Sequence, residues 1–251
     1  MSKVVVVCQN LNDDRIIPRR ARALRDGLGW TLVPAFTPSM SADVVYLSGY
    51  FEVQKLVKWP DVPVAAYLTH REEEPPGNAK AKLFDSVAER VQLRVATCRM
   101  YAKYLEQYGP TAQMPAPLER DRFVIPKRKP GARPVVGLSG YTYNNQRKGE
   151  DLIKGMLASE IAQKLEWRAS GRGWPVPTKR FTWADMPKFY QDLDVLVVPS
   201  RVEGIPMPPL EALACGVRIV IPHNVGLHDE LPDVPGIYRY DKGDLKTLVE
   251  A

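Results

Sequence analysis

The chain has 251 residues, of which 45% are hydrophobic and 25% charged, an ordinary composition for a globular protein of one or two domains. No apolar run approaches the ~20 residues of a membrane-spanning helix, and the apolar run near the N-terminus is too short for a signal peptide. The three cysteines and three histidines are few and scattered, which predicts reduced core thiols in a cytoplasmic protein, without a disulfide frame or a metal site.

The net charge of +6 is unevenly distributed along the chain. Residues 1–130 carry 20 basic and 14 acidic side chains, whereas residues 131–251 carry 15 of each. The surplus is either an ordinary solvated surface or a face that meets something anionic. A phospholipid surface, a phosphate-bearing acceptor and nucleic acid are the three candidates for such a partner.

In the first half, short apolar and β-branched runs alternate with segments of helical character. Strands are predicted at 3–9 (KVVVVCQ), 31–34, 43–48, 63–69 and 93–97, and helices at 18–27, 51–58, 80–91 and 99–108. The sequence PKRKPGARP at 126–134 has the composition of a linker. It predicts two domains, one over residues 1–130 and the other over residues 131–251.

The second half repeats the alternation. Strands are predicted at 133–140 (RPVVGLSG), 165–170, 194–199 and 218–221, and helices at 149–163, 185–192, 207–215 and 243–250. Strands separated by helices of this length indicate parallel sheets. We therefore expect an α/β chain of two Rossmann-like domains facing a cleft, with ligands at the carboxyl ends of the strands.

One stretch, VEGIPMPPLEALACG at 202–216, combines two carboxylates with a proline-stiffened turn. Glu203 lies in the loop, and Glu211 is expected in the first turn of the helix that follows. Prolines favour the first turn of a helix, and a helix N-terminus offers unpaired N–H groups and a partial positive charge. The pattern predicts a phosphate site between the two glutamates.

The surrounding sequence, residues 192–222, resembles the donor-binding signature of retaining GT-B glycosyltransferases of family four, the group 1 type. The matching elements are Pro199-Ser200, Glu203-Gly204, Glu211-Ala212 and Ala214-Cys215-Gly216. Pro206 departs from the glycine that many members have. The resemblance implies a GT-B fold and a retaining, metal-independent transfer of a hexose, without a cofactor. The donor would be a nucleotide-diphosphate sugar, with UDP- and GDP-sugars favoured.

The resemblance also implies roles for individual residues. Glu203 would bind the sugar hydroxyls, Glu211 the ribose, and Lys148, within NNQRKGEDLIKGML at 144–157, the diphosphate. Many members carry a cation after the glycine that corresponds to Gly140, where this chain has Tyr141. Arg147 or Arg172 is expected to replace it. The remaining donor-binding residues are predicted to be Gly140, Gly204, Ile205, Pro206 and Met207.

The first half resembles the family more loosely. In AAYLTHREEE at 65–74, His70 matches the histidine near the transferred sugar, so the predicted catalytic set is Glu203, His70 and Lys148. The family's glycine-rich N-terminal loop is replaced by CQNLNDDRIIPRRARALR at 8–25. Its side chains are expected on the acceptor side, in particular Asn10, Asn12, Asp13 and Arg15.

Several alternatives remain open at this stage. The basic first half suits a lipid-phosphate acceptor at a membrane surface, with the protein peripheral there, and equally a hydroxymethylated base in DNA, as in phage-type enzymes. A nucleotide-sugar epimerase and a non-catalytic sugar-nucleotide-binding protein share the fold. The chain stops after DLKTLVEA, which predicts a truncated C-terminal helix and leaves a homodimer open.

Overall fold

The computed structural model describes residues 2–73, 77–115, 117–127, 131, 133–223 and 225–251. The chain divides into two compact units, Met1–Pro117 and Leu118–Ala251. The predicted boundary after residue 130 falls on residues outside those described. The described segment before it packs with the second unit, because the buried ring of Phe123 lies 6.0 Å from that of Tyr190.

The first unit is built on a six-stranded parallel sheet in the order β2-β1-β3-β4-β5-β6. Its strands are β1 (Val4–Val7), β2 (Thr31–Val33), β3 (Val44–Leu47), β4 (Val64–Leu68), β5 (Leu93–Ala96) and β6 (Thr111–Gln113). Its helices are α1 (Ile16–Leu28), α2 (Ala79–Arg90) and α3 (Arg99–Leu105), with 3₁₀ helices at Tyr50–Lys55 and Glu106–Tyr108. The β-branched run of β1 lies in the middle of the sheet, buried by neighbours on both sides.

The second unit has its own six-stranded parallel sheet, in the order β12-β11-β10-β7-β8-β9. Its strands are β7 (Val135–Tyr141), β8 (Glu166–Arg172), β9 (Thr178–Lys179), β10 (Val195–Val197), β11 (Arg218–Pro222) and β12 (Ile237–Tyr240). Its α-helices are α4 (Glu150–Leu157), α5 (Met186–Gln191), α6 (Met207–Ala214) and α7 (Leu245–Glu250). Short 3₁₀ helices lie at Ala162–Lys164, Trp183–Asp185 and His228–Glu230.

Differences from the predicted elements have local causes. The helix expected at 51–58 is a 3₁₀ helix that ends before Leu56, which forms an isolated bridge with Phe36. The helix expected to reach residue 163 ends at Leu157, where the Ser159 hydroxyl donates to the carbonyl of Met156 at 2.6 Å. The unpredicted strands β6, β9 and β12 are edge or near-edge strands of two to four residues, too short for a periodic signal.

Two central strands of the second sheet position the candidate site. β7 and β10 are neighbours, so their carboxyl ends open at the same edge of the sheet. Among the helices that the structure describes, none has both the length and the apolar character needed to cross a membrane.

Candidate functional site

A small cavity of about 120 Å³ lies at the carboxyl ends of β7 and β10. Its lining residues are Ser139, Gly140, Lys148, Leu196, Val197, Val198, Pro199, Ser200, Glu203, Pro206, Pro208 and Pro209. The predicted Pro-Ser and Glu-Gly elements therefore meet the predicted lysine at one place. Lys148 is the one cation and Glu203 the one anion among these lining residues, and most of the others are apolar.

Lys148 and Glu203 form an ion pair in this wall, with the lysine ammonium donating to Oε1 of the glutamate. The two residues are 55 positions apart, and their side chains are only 17% and 9% exposed. Little water reaches the two charges, so the ion pair is largely desolvated. The pair is therefore a preformed polar centre at the sheet edge.

The loop that carries Lys148 is fixed by glycine geometry and by an arginine. Gly149 has φ +75°, and a Cβ there would collide with the carbonyl oxygen of Pro199, so only glycine fits. The backbone N–H of Arg201 donates to the carbonyl of Arg147 at 2.9 Å. The Arg201 guanidinium binds both carboxylate oxygens of Asp151 at 2.7 Å. These contacts hold the lysine loop against the loop after β10.

The N-terminus of α6 is a weaker anion site than the sequence suggested. The helix begins at Met207, and its cap is Pro206. Prolines also occupy positions 208 and 209, so of the four leading residues only Met207 has a backbone N–H to donate. With Met207 as the first residue of the helix, Glu211 lies in its second turn, not in the first as expected. Phosphate binding at this edge therefore depends on side-chain cations more than on the helix.

Glu211 is buried beneath the cavity rather than in its lining. Only 3% of the residue is exposed, and the Tyr190 hydroxyl donates to its Oε2 at 2.6 Å. Burial and the neighbouring Glu211 charge hold the pKa of Tyr190 well above its usual value, so the phenol stays protonated as a donor. Burial, with Glu211, also raises the pKa of Cys215 to about 11. The carboxylate is thereby fixed in orientation next to neutral groups.

The two arginines nominated as substitute cations lie on tyrosine faces. The Arg147 guanidinium is 4.7 Å from the ring centre of Tyr143, and that of Arg172 is 5.1 Å from the ring centre of Tyr141. Neither arginine lines the cavity. Gly140, with φ +114°, has no atom within 4 Å of where a Cβ would lie, so open space adjoins the backbone there.

The rest of the predicted donor set surrounds Glu203. Pro206 lines the cavity, Ile205 packs against the hydrophobic core, and Gly204 and Met207 are buried. The carbonyl of Glu203 accepts the N–H of Gly226 at 3.1 Å, which ties this loop to the segment after β11. The structure thus brings these four residues to one loop and helix start.

In the first unit, the predicted histidine is part of a charged cluster. His70 Nε2 lies 3.8 Å from Oε1 of Glu72, an oxygen that also binds the Lys80 ammonium at 2.8 Å. Glu72 is 6% exposed, so His70 adjoins a nearly buried carboxylate just after β4.

The predicted acceptor-side residues occupy the loop after β1. Asn10 has φ +55°, and its carbonyl accepts the N–H of Asp13 at 2.8 Å. The Asp13 carboxylate binds the Arg15 side chain at 2.6 Å, and Asn12 is exposed. Asp13 and Arg15 therefore engage each other within the loop.

Sequence reasoning missed two buried glutamates, Glu52 and Glu150. Glu52 is 1% exposed, and its Oε1 accepts the N–H of Gln9 at 3.1 Å. Its Oε2 is buried without a hydrogen-bond partner among the described residues, and burial raises the pKa of Glu52 to about 7. Glu150 accepts the N–H of Tyr143 at 2.6 Å, closing the lysine loop. A glutamate just after an apolar strand and its glycine is the only signal that could have found Glu52.

One Asp-x-Asp sequence exists in the chain, at residues 192–194. Asp194 precedes β10, and its Oδ2 accepts the N–H of Val135 at 2.8 Å. This motif therefore lies at the amino end of the strand, away from the cavity, and serves to join two strand starts.

The second unit also matches a known protein family. Residues 146–251 match the family model of glycosyl transferases group 1, a match that includes Arg147, Lys148, Glu203 and Glu211. No curated protein sequence matches the chain in a direct comparison.

Solved structures extend the likeness to both units. Sucrose-phosphate synthase from Thermosynechococcus elongatus superposes with a TM-score of 0.77 at 12% identity, covering 100% of this chain and 88% of that one. Anabaena HepE in complex with UDP-glucose gives a TM-score of 0.71 at 11% identity, with coverage of 100% and 88%. A glycosyltransferase from Rickettsia africae gives 0.65 at 10% identity, with coverage of 99% and 86%.

These findings confirm two expectations. The chain is an α/β protein with two Rossmann-like parallel sheets, and this is the GT-B fold of glycosyltransferases. The resemblance of its second unit to group 1 glycosyl transferases is also confirmed.

Proposed function

We propose that the protein is a retaining, metal-independent glycosyltransferase that moves a hexose from a nucleotide-diphosphate sugar to an acceptor. The observation that supports this most directly is the Lys148–Glu203 pair. It joins the predicted diphosphate ligand to the predicted sugar ligand within a stretch that matches the group 1 family model. A donor molecule would separate the pair and use both groups.

The volume of the cavity supports the idea that a bound donor separates Lys148 from Glu203. About 120 Å³ is far below the several hundred Å³ that a nucleotide sugar needs, so donor binding requires the pair to open. A diphosphate is a stronger partner for an ammonium than one carboxylate, because it carries more charge and more acceptor oxygens. Once released from Lys148, Glu203 can accept hydrogen bonds from sugar hydroxyls.

Because the α6 N-terminus is a weak anion site, side chains must stabilise most of the negative charge of the leaving group. With one free N–H at Met207, stabilisation of the departing diphosphate falls mainly to Lys148, with Arg147 or Arg172 as the second cation. Glu211, held by Tyr190, is the ribose ligand of this proposal. His70 is assigned to the transferred sugar by resemblance alone.

The proposed reaction balances without a metal or redox partner. The bond from the anomeric carbon to the donor phosphate oxygen breaks, and the diphosphate leaves with the electron pair. The acceptor hydroxyl oxygen bonds to the anomeric carbon on the same face, and its proton passes to the departing phosphate. Retention of the anomeric configuration follows from this same-face attack.

Calorimetric titration tests the donor site first. UDP, GDP, ADP and dTDP, alone and as sugar conjugates, are titrated into the wild type, K148A, E211A and the control K154A. Lys154 is an exposed cation on α4 and serves as a matched loss of one charge. UDP is the first ligand to try, since HepE was solved with UDP-glucose.

We expect micromolar binding of one nucleotide, weakened at least tenfold in K148A and E211A and unchanged in K154A. Equal binding by all four proteins would overturn the donor site. Analysis of the product by NMR completes the test. We expect the donor to be turned over with retention of configuration, and EDTA to leave the rate unchanged. Epimerised donor without any acceptor would show an epimerase instead, and binding without turnover on any acceptor a non-catalytic module.

A further inference from the structure

Arg20, on α1 in the first unit, is a buried cation without an anion beside it. Only 7% of the residue is exposed, and no carboxylate oxygen lies within 4.0 Å of its guanidinium nitrogens among the residues that the structure describes. The guanidinium carbon lies 3.6 Å from the ring centre of Tyr67. Stacking on an aromatic face offsets part of the cost of removing a charge from water, but it does not neutralise the charge.

Two other arginines of the first unit have acceptors for their N–H groups. Arg94 is 3% exposed, and its Nε donates to the carbonyl of Ala88 at 2.6 Å. Arg22, which lies on α1 together with Arg20, donates to the carbonyl of Asp13 at 2.9 Å. Buried polar groups ordinarily have such partners, so a bound anion would explain the exception at Arg20.

The guanidinium of Arg20 faces an opening to solvent. Over the described part of the chain its nitrogens have no acceptor in normal hydrogen-bond geometry, yet none of them is sealed from solvent. The small exposed fraction of the residue therefore includes its charged end. A guanidinium held on a ring, with N–H groups at an opening, is oriented to bind acceptor oxygens at a reduced entropy cost.

A tyrosine hydroxyl beside Arg20 also lacks a partner. Tyr46 is 6% exposed, and its hydroxyl oxygen is buried without a hydrogen-bond partner among the described residues. Burial raises the pKa of Tyr46 to about 12, and Arg20 opposes that shift, so the two groups are neighbours. The phenol stays protonated at neutral pH and is available to donate to an anion that binds at Arg20.

These side chains lie near the carboxyl edge of the first sheet. Arg20 is in the second turn of α1, the helix that follows the loop after β1. Tyr67 is the next-to-last residue of β4, and its hydroxyl donates at 2.9 Å to that of Thr97, the first residue after β5. Ligands of open parallel sheets bind at this edge, and Thr97 keeps a hydroxyl hydrogen to donate.

We name Arg20, Tyr46, Tyr67 and Thr97 the Arg20 cluster. A guanidinium next to hydroxyl donors suits a phosphate group, whose oxygens accept parallel N–H bonds from arginine. Because Arg20 is only 7% exposed, a projecting terminal phosphate reaches it more easily than a phosphodiester backbone or a bilayer surface does. The cluster therefore favours a phosphate monoester on a small molecule.

We propose that the Arg20 cluster binds the phosphate monoester of a small molecule, and that this molecule is the acceptor of the reaction proposed above. The acceptor role rests on that proposed function, whereas phosphate binding does not. The cluster belongs to the first unit and shares no residue with the cavity around Lys148 and Glu203. His70, assigned above to the transferred sugar, follows β4, the strand that carries Tyr67.

Calorimetric titration with inorganic phosphate tests the site without any transfer step. Phosphate is titrated into the wild type, R20M, Y46F and the control R25Q. Methionine is unbranched and apolar, so R20M removes the charge while the ring of Tyr67 stays covered. Arg25 lies exposed on the same helix beside Asp26, so R25Q removes the same charge from a surface position.

R20M should weaken phosphate binding about tenfold or more, because charge-assisted hydrogen bonds are lost. Y46F should weaken it about threefold, the effect of one neutral donor, and R25Q should stay within about twofold of the wild type. Equal affinities in R20M and R25Q, or no saturable binding to the wild type, would overturn the proposal.

Melting temperatures distinguish a ligand site from a packing role. Replacing a buried charge that has no counter-ion by an apolar side chain is often neutral or stabilising, so R20M should melt at or above the wild type in phosphate-free buffer. Phosphate should raise the melting temperature of the wild type and leave that of R20M unchanged. A lower melting temperature for R20M, with the same phosphate shift as the wild type, would make Arg20 a packing residue.

Three further outcomes would also reject it. Displacement of phosphate by a saturating nucleotide sugar, which has no terminal phosphate, would assign Arg20 to the donor site. Vesicles of phosphatidic acid that bind through Arg20 while free phosphate does not would indicate a membrane surface. A 5′-phosphorylated oligothymidylate that binds through Arg20 while free phosphate does not would indicate nucleic acid.

The acceptor role is tested with a mixture of sugar phosphates and a phosphatase-treated copy of the same mixture. Each is incubated with a labelled nucleotide sugar and the enzyme. Label should enter product only from the untreated mixture, and R20M should abolish this. Equal incorporation from both mixtures, or from neither, would overturn the acceptor role.

Failure of this proposal and failure of the proposed function are distinguishable. If nucleotide binds as expected but phosphate binds equally to the wild type and R20M, the proposal for Arg20 alone fails. If phosphate binds through Arg20 while no nucleotide sugar binds, the transferase proposal fails and the cluster stays a phosphate site.

Discussion

Individual buried carboxylates near the carboxyl edges of the two sheets differ in how completely they are paired. In the second unit, Glu203 is paired with Lys148, and Glu211 accepts a hydrogen bond from Tyr190. In the first unit, Glu52 is 1% exposed, has one backbone donor, and has a second oxygen without a partner among the described residues. A paired buried charge stabilises a defined geometry, whereas an unpaired one favours its neutral form. We therefore expect the first unit's loop to titrate near neutrality, where the raised pKa of Glu52 lies.

The largest loss of stability should come from removing one partner of the Lys148–Glu203 ion pair. K148M leaves the nearly buried Glu203 without its cation, which should lower the free energy of unfolding by about 4 kcal/mol. Urea denaturation at pH 8 measures the loss. The double variant K148M/E203L removes both charges and should recover most of the stability, while nucleotide binding stays lost. A double variant no more stable than K148M would show that the pair does not carry the effect.

The next effect concerns Glu52 and its pH dependence. Burial raises its pKa to about 7, opposed by the hydrogen bond from Gln9 and by the charge of Lys55. The folded state binds the proton of Glu52 more tightly than the unfolded state does. The contribution of Glu52 to the free energy of unfolding is therefore at its full value below pH ~4.5. That contribution is lost as pH rises towards 7. The loss amounts to about 3 kcal/mol from the size of the shift.

E52Q isolates this contribution. The amide keeps an oxygen for the Gln9 N–H but cannot ionise, so the variant should gain on the wild type between pH 4.5 and 7 by up to about 3 kcal/mol and run parallel above that. Chemical denaturation at half-unit pH steps gives both curves. Parallel curves across the whole range would mean that Glu52 is not buried as an acid.

A smaller loss of stability is expected for the Tyr190–Glu211 hydrogen bond, in which a neutral donor binds a charged acceptor. Y190F removes the donor to Glu211 and leaves that buried carboxylate with one hydrogen bond fewer, at a cost of about 2 kcal/mol. Nucleotide affinity should fall several-fold in parallel, because Glu211 loses its fixed orientation. F189Y changes a neighbouring buried ring without touching Glu211 and serves as a packing control. Loss of stability without any change in affinity would separate Tyr190 from the ligand site.

The sequence predicted the strands around this site better than the site's local geometry. Apolar runs located the strands that carry the site, because buried parallel strands are continuous in β-branched residues. The family motif located Lys148 and Glu203, which the fold brings together across 55 positions. The predicted start at residue 207 is correct, but the phosphate site expected at this helix is weakened, because Pro206, Pro208 and Pro209 leave α6 one early donor, at Met207.

Other features depend on tertiary contacts that have no sequence signature. Glu52 reads as a surface residue in its own segment, and only the fold shows that it is buried below the loop after β1. Arg172 and Arg180 both lie near the ring of Tyr141 although they come from β8 and from the segment after β9, a strand of two residues that periodicity cannot detect.

The smallest effect should come from the exposed tie between the two site loops. The Arg201 guanidinium binds Asp151 in a bidentate pair and also donates to the carbonyl of Gln146 at 2.8 Å, so it holds the lysine loop in place. Asp151 is 47% exposed, and solvent screens the pair, so R201Q should cost at most about 1 kcal/mol of stability, less at high salt. The hydrogen bonds from Arg201 hold the pKa of Asp151 below its usual value, so this difference should shrink as the carboxylate is protonated at acid pH. Nucleotide affinity should fall about threefold because Lys148 is less well positioned. Salt should weaken the Arg201–Asp151 pair and leave the stability contributed by the buried Lys148–Glu203 pair unchanged. That result would distinguish an exposed pair from a desolvated pair at the same site.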